Sequence, residues 1–260
     1  MVEFKTVKGD VLYTVEASDR KTATMKLIEN GVSLEGAILY GIDLSGINFE
    51  GVNLSEVDFR DCNLKGTNFS GAILKNTNFE NTNLSSVNFN GANLEGANLS
   101  GSNITNVNFK NANLRGANLS GAIAYSANFE SANFKCANLR HTDFDSANLE
   151  SANFYGVDLR GAILYKANLK NANFNKADLT GANVNGANLK GANFDSACWP
   201  LSCQTLHAKV DDKLRIQLLY HAAKPTGDIE DKELKDLLES ELFKKVINKF
   251  HMIPKYCGKV

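Results

Sequence analysis

Cysteine and histidine are the side chains here with the most chemistry to offer. Six of the nine fall in the last quarter of the chain, and five of these, Cys198, Cys203, His207, His251 and Cys257, form the notable cluster. Thiolate and imidazole together suit zinc or an iron-sulfur cluster. Four residues separate Cys198 from Cys203, however, no tight Cys-x-x-Cys knuckle occurs, and the order is unlike a familiar finger. Packed thiols and a surface histidine are therefore the simpler reading, with a metal-binding C-terminal module as an alternative and no cofactor expected. No nucleophile with a base, no phosphate loop and no acid pair stands out. The glycines recur every five residues and open no helix, unlike a phosphate cradle, so the chain is not expected to be an enzyme.

What positions these residues is a repeat. Large apolar residues stand at every fifth position from Leu34 to Phe194, and a small or β-branched residue precedes each by two, as at Ala92, Val107 and Thr142. A period of five fits neither the 3.6 of a helix nor the 2.0 of a long strand. If three residues around each centre are extended and the next two turn a corner, the centre and the residue two before it share an inward face. Four such sides close a square coil of twenty residues. The glycines from Gly36 to Gly191 fall two residues after a centre, where a positive φ costs glycine little.

The pattern, as in Ala92-Asn93-Leu94-Glu95-Gly96-Ala97-Asn98-Leu99, resembles the pentapeptide-repeat family. That resemblance implies an all-β solenoid, a right-handed quadrilateral β-helix, over residues 32–197. About eight coils at a strand spacing of about 4.8 Å give a rod about 40 Å long. Residues twenty apart should then stack. Phe49, Phe69, Phe89, Phe109 and Phe129 form one expected column, and Phe134, Phe154, Phe174 and Phe194 another. Ala124 breaks the rule for centres, and Phe144 is expected to fill the space it leaves, since a methyl-sized hole costs about 1 kcal/mol.

The pieces at either end read as lids, which keep a bare β edge and an open core from water. Residues 1–31 carry a hairpin signal, with strands over Glu3 to Val7 and Val11 to Val15 around Lys8-Gly9-Asp10. A helix capped by Ser18 or Asp19 follows, with Met25, Leu27 and Ile28 as its apolar residues and Gly31 at its end. Residues 198–260 read as a helical cap, one helix near Asp211 to Ala223 and another from about Ile229 to Phe250. Its size leaves room for a second role, such as joining two chains into a homodimer or binding a partner.

At 260 residues, 43% hydrophobic and 22% charged, the chain reads as a soluble protein with ample core. No run approaches a membrane span and the start lacks the apolar block of a signal peptide. The scattered cysteines do not read as a disulfide framework. A cytoplasmic location is the default expectation, and a net charge of -1 gives no pull toward nucleic acid or acidic lipid.

Two non-catalytic roles remain. Some members of the family it resembles, including those that protect DNA gyrase, are thought to imitate duplex DNA, which needs a dense acidic surface. This solenoid has fifteen acidic and twelve basic residues, and its corner columns mix signs. Direct DNA binding lacks a basic stripe. The favoured reading is a protein-interaction scaffold. Asparagine fills most slots one residue before a centre, but Ile38, Ile73, Ile123 and Ile163 put apolar groups there, facing outward. Tyr40, Tyr125, Tyr155 and Tyr165 follow centres directly. Ile123 with Tyr125 and Ile163 with Tyr165 should share one face two coils apart, with Asp143 and Asp145 between them, which is the composition of a recognition patch.

Overall fold

The computed structural model describes residues 1–6 and 8–198. From Leu34 onward one unit recurs. The residue before each centre pairs in parallel with its equivalent twenty residues on, from Ile38↔Asp58 to Asp178↔Cys198, with one rung missing between Asn63 and Asn83. The hydrogen bonding shows why the period is five. Leu44 N–H donates up to Asn63 O (2.9 Å), Asn63 N–H donates down to Ile42 O (3.1 Å), and Ile47 N–H closes a turn on Leu44 O (3.2 Å). Twenty residues per layer and five per side make a four-sided β-solenoid.

The turn needs a positive φ two residues after each centre. Gly46 supplies it at φ 72°, with no Cβ to strain. Glycine was the expected corner residue, yet Glu56, Cys136, His141, Lys166 and Ser196 also hold φ between 54° and 60°. A left-handed conformation costs an L-residue about 1–2 kcal/mol, so stacking enforces these corners against local preference.

Every centre and nearly every residue two before one is buried. Phe49, Phe69, Phe89, Phe109 and Phe129 stack with ring centroids 4.8–5.1 Å apart. Phe134, Phe154, Phe174 and Phe194 do the same at 4.7–5.1 Å. The two columns occupy neighbouring sides and meet at Phe129 and Phe134, 5.1 Å apart. That coil therefore carries two rings, and Ala124 faces Phe134 from the opposite side. Phe144 packs edge-on against Phe129 (5.5 Å) and Phe134 (6.2 Å), so three rings crowd around the small residue. The ladder is intact at this coil, with Ala124 N–H on Asp143 O at 2.7 Å.

Buried polar side chains find carbonyls. Thr67, Thr77 and Thr142 donate to Leu44 O, Leu54 O and Leu119 O at 2.8–3.2 Å, as unpaired buried hydroxyls would cost about 1–3 kcal/mol each.

At the N-terminal end, β1 (Val2–Lys5) and β2 (Val11–Val15) form an antiparallel hairpin. The first strand runs Val2–Lys5, ending sooner than expected; Thr6 bridges Ala37 while its N–H still donates to Asp10 O (2.9 Å). Asp19 caps α1 (Arg20–Glu29), accepting from Thr22 N–H at 2.8 Å. Ala23, Thr24 and Leu27 are its buried residues, while Met25 points outward, contrary to expectation. Among the bonds that seat this piece on the first coil are Ile38 N–H to Lys5 O (2.9 Å), Arg20 Nη2 to Ile38 O (2.7 Å) and Lys21 Nζ to Ser45 O (2.6 Å). Phe4 and Leu27 join the core of the solenoid. The two helices expected after residue 198 lie outside the described residues. Among the described residues no helix is long and apolar enough to cross a membrane.

Candidate partner-binding face

The outer surface is built from the slot before each centre. Asparagine there does two jobs. Its Oδ1 accepts from the backbone N–H two residues on, and its Nδ2 donates to the equivalent asparagine one coil below. Asn128 illustrates both: it accepts from Glu130 N–H (3.1 Å), donates to Asn108 Oδ1 (3.3 Å) and accepts from Asn148 Nδ2 (3.0 Å). Along one side this ladder is continuous from Asn48 to Asn188. Asparagine at every twentieth position was its signal in the sequence.

On another side the ladder stops above the rung from Asn63 to Asp43: Asn83 and Asn103 make none, and isoleucine, with no amide, can make none. Ile123 bridges Asp143 and Asp143 bridges Ile163, while Ser126 N–H bonds Asp145 O (3.0 Å) and Ser146 N–H bonds Tyr165 O (2.9 Å). The six residues singled out in the sequence are thus brought together in two adjacent columns over three successive coils. Ile123, Tyr125 and Ile163 are 48%, 47% and 39% exposed. Tyr165 is half-buried, with Lys166 Nζ 4.8 Å from its ring centroid. Asp143 spends one oxygen on Asp145 N–H (3.0 Å), and Asp145 accepts from Ser146 Oγ (2.7 Å).

The other apolar outliers are placed differently. Ile38 is half-covered where Lys5 and Arg20 dock. Ile73 is exposed without a tyrosine two residues on, where Lys75 stands. Tyr40 packs beneath Arg60 (5.8 Å), and Tyr155 lies between Lys135 and Lys176, each at 5.3 Å.

Several charges elsewhere pair within the corner columns. Glu95 takes both Lys75 (3.5 Å) and Arg115 (3.3 Å), Lys110 pairs with Glu130 (3.0 Å) and Glu150 with Lys170 (3.0 Å). Asp158 is held below the usual carboxylate range, chiefly by hydrogen bonds from the Arg160 side chain at 2.6 and 2.9 Å.

Of the candidate metal ligands, only Cys198 lies within the described residues, and it is disulfide-bonded. Its sulfur is therefore not a free thiolate. Cys203, His207, His251 and Cys257 lie outside the described residues. Cys62 is a buried thiol, pushed up to about 11 by burial, that donates to Leu39 O. Cys136 is exposed at a corner, as is His141. Among the described residues no three His, Cys, Asp or Glu side chains converge as a metal site would require.

Comparison with known proteins agrees with this geometry. The family model for pentapeptide repeats matches residues 30–66, 62–101 and 102–135, and the model for a pentapeptide repeat region matches residues 127–197. No curated protein matches the chain. Among solved structures, it is similar to QnrB1, a plasmid-mediated fluoroquinolone resistance protein, at 20% identity and a TM-score of 0.43, covering 68% of this chain and 86% of that one. HetL of Nostoc sp. strain PCC 7120, involved in heterocyst differentiation regulation, is 27% identical at a TM-score of 0.26, with 67% and 94% covered. A pentapeptide repeat protein of the Arabidopsis thaliana thylakoid lumen is 32% identical at 0.33, with 46% and 70% covered. With TM-scores this low the superpositions carry no argument, and the fold rests on the ladders above. Matched by family models from residue 30 to residue 197, the chain belongs to the pentapeptide repeat family.

Proposed function

We propose that this protein is a non-enzymatic protein-interaction scaffold, working in the cytoplasm, that holds a partner on the face bearing Ile123, Tyr125, Asp143, Asp145, Ile163 and Tyr165. About eight right-handed coils would present that face as a straight, rigid platform, with the strand spacing of about 4.8 Å as its ruler. One observation carries the reading: the asparagine ladder gives way to exposed isoleucine and tyrosine in register over three coils. A rigid aromatic and apolar patch with a polar rim suits protein recognition, because little side-chain entropy is lost on binding.

Imitation of DNA is the weaker reading. A run of like charge at phosphate spacing is needed for it, and here acids and bases mix within the corner columns and several pair across coils.

Replacing Tyr125 and Tyr165 with serine is expected to abolish capture of the protein's partner from cell lysate while leaving the melting temperature nearly unchanged. Capture that survives both replacements places the site elsewhere. A gyrase supercoiling assay with and without the protein tests the alternative, with no effect expected.

A further inference from the structure

Resting on that reading, the chemistry of the partner can be taken further. Four features of the face bear on it. Asp143 and Asp145 lie side by side, one coil from apolar residues above and below, and no lysine or arginine pairs with either among the described residues. Six other carboxylates of the solenoid, Asp58, Glu95, Glu130, Glu150, Asp158 and Asp178, have a cation within 4 Å. What sets Asp143 and Asp145 apart from the remaining unpaired acids is that apolar and aromatic residues flank them one coil above and below. Because Ile123 and Ile163 replace asparagine, the backbone N–H groups of Tyr125 and Tyr165 lack the side-chain acceptor that Glu130 N–H finds in Asn128. The two Ile/Tyr pairs are also two coils apart, which is about 9.6 Å at strand spacing.

That last distance selects a conformation. A polyproline-II chain turns once in three residues and rises about 3.1 Å per residue, so side chains and carbonyls three apart recur on one side about every 9.3 Å. A β-strand lying along the rod would bring residues three apart to opposite sides. We propose that the face takes an extended polyproline-II segment running along the solenoid axis. Two apolar residues three apart rest on Ile123/Tyr125 and Ile163/Tyr165, and a lysine or arginine between them reaches Asp143 and Asp145. Carbonyls of the segment accept from the N–H groups of Tyr125 and Tyr165. Lys166, over the Tyr165 ring, repels a cation from that end and directs it to the level of the two aspartates. A segment of this kind binds with little ordering cost, since its conformation is formed beforehand.

The test titrates the full-length protein with a fluorescent peptide, Pro-Leu-Pro-Arg-Leu-Pro-Pro, whose leucines are three apart, and with two controls. One control has glutamate for arginine; the other has the leucines adjacent. The arginine peptide is expected to bind, and its affinity to fall about tenfold, or 1.4 kcal/mol, in Asp143→Asn/Asp145→Asn. That substitution keeps an acceptor in the slot before the centre. Binding is expected to vanish in Tyr125→Ser/Tyr165→Ser. No binding of the arginine peptide, equal binding of the glutamate peptide, or indifference to the aspartate substitutions overturns the proposal. A face that captures a lysate partner through its tyrosines but ignores these peptides would sink the partner chemistry alone. Capture that survives the tyrosine replacements would sink the face itself.

Discussion

Two sides of the same rod, one quarter-turn apart, follow different rules outside and in. The side from Asn48 to Asn188 carries an unbroken amide ladder, and behind its first half stands the uniform column of stacked rings from Phe49 to Phe129. The side from Asp43 to Asn183 has isoleucine twice in its outer column, and behind those positions stand Ile104, Ala124, Phe144 and Leu164, no two alike. Backbone hydrogen bonds are alike on both, 2.7–3.5 Å, except that the irregular side lacks the rung between Asn63 and Asn83. Backbone pairing therefore sets the shape of the rod, and side chains are free to depart from the repeat where something other than shape is selected. Ile123, Ala124 and Tyr125 depart together, which is why we place the binding face there.

Four changes would break or sharpen this contrast. The largest effect is expected from Phe109→Ala, which opens a gap in the ring column behind the ladder. A loss of about 3–5 kcal/mol follows from removing a buried aromatic, read as a lower urea midpoint. Next is Asn128→Leu, which removes three hydrogen bonds from the ladder side, at a cost of about 1–3 kcal/mol. Glu56→Gly relieves a residue at φ 60° and should raise stability by about 1 kcal/mol. The smallest change converts one side toward the other: Ile123→Asn restores an amide beside Asn103 and an acceptor for Tyr125 N–H. Stability should rise by about 0.5–1 kcal/mol while partner capture weakens. A loss of stability instead would mean that Ile123 is held by packing.

Acid adds a separate check on a third side. The folded state lowers the pKa of Asp158 through Arg160, so its contribution is present above the unfolded value of about 3.9 and is lost as the pH falls below it. Asp158→Asn should flatten the decline of melting temperature in that range.

The sequence made most of the rod legible because stacking at a fixed interval turns positions into columns. Both ring columns, the inward pairs and the gathering of Ile123, Asp143 and Ile163 follow from counting by twenty. What it hid falls into three kinds. The corners at Glu56, Lys166 and Cys136 carry no glycine, and only the neighbouring coils force their positive φ. Ile38 looks like Ile123 in the repeat, yet the N-terminal hairpin and helix half-cover it, a contact that no periodicity reveals. Met25 matched an apolar helix face, but the helix needs only Ala23, Thr24 and Leu27 to close the first coil. Ala124 looked like a defect, and became intelligible once Phe129, Phe134 and Phe144 were seen to meet around it.

The most direct measurement compares the two sides in one capture experiment. Tyr125→Ser/Tyr165→Ser alters the irregular side, and Lys110→Ser/Glu130→Ser alters an exposed ion pair beside the ladder. Partner recovered from lysate should disappear with the first pair and persist with the second, at matched melting temperatures. Equal recovery by both variants, or loss only with the second, would contradict the account.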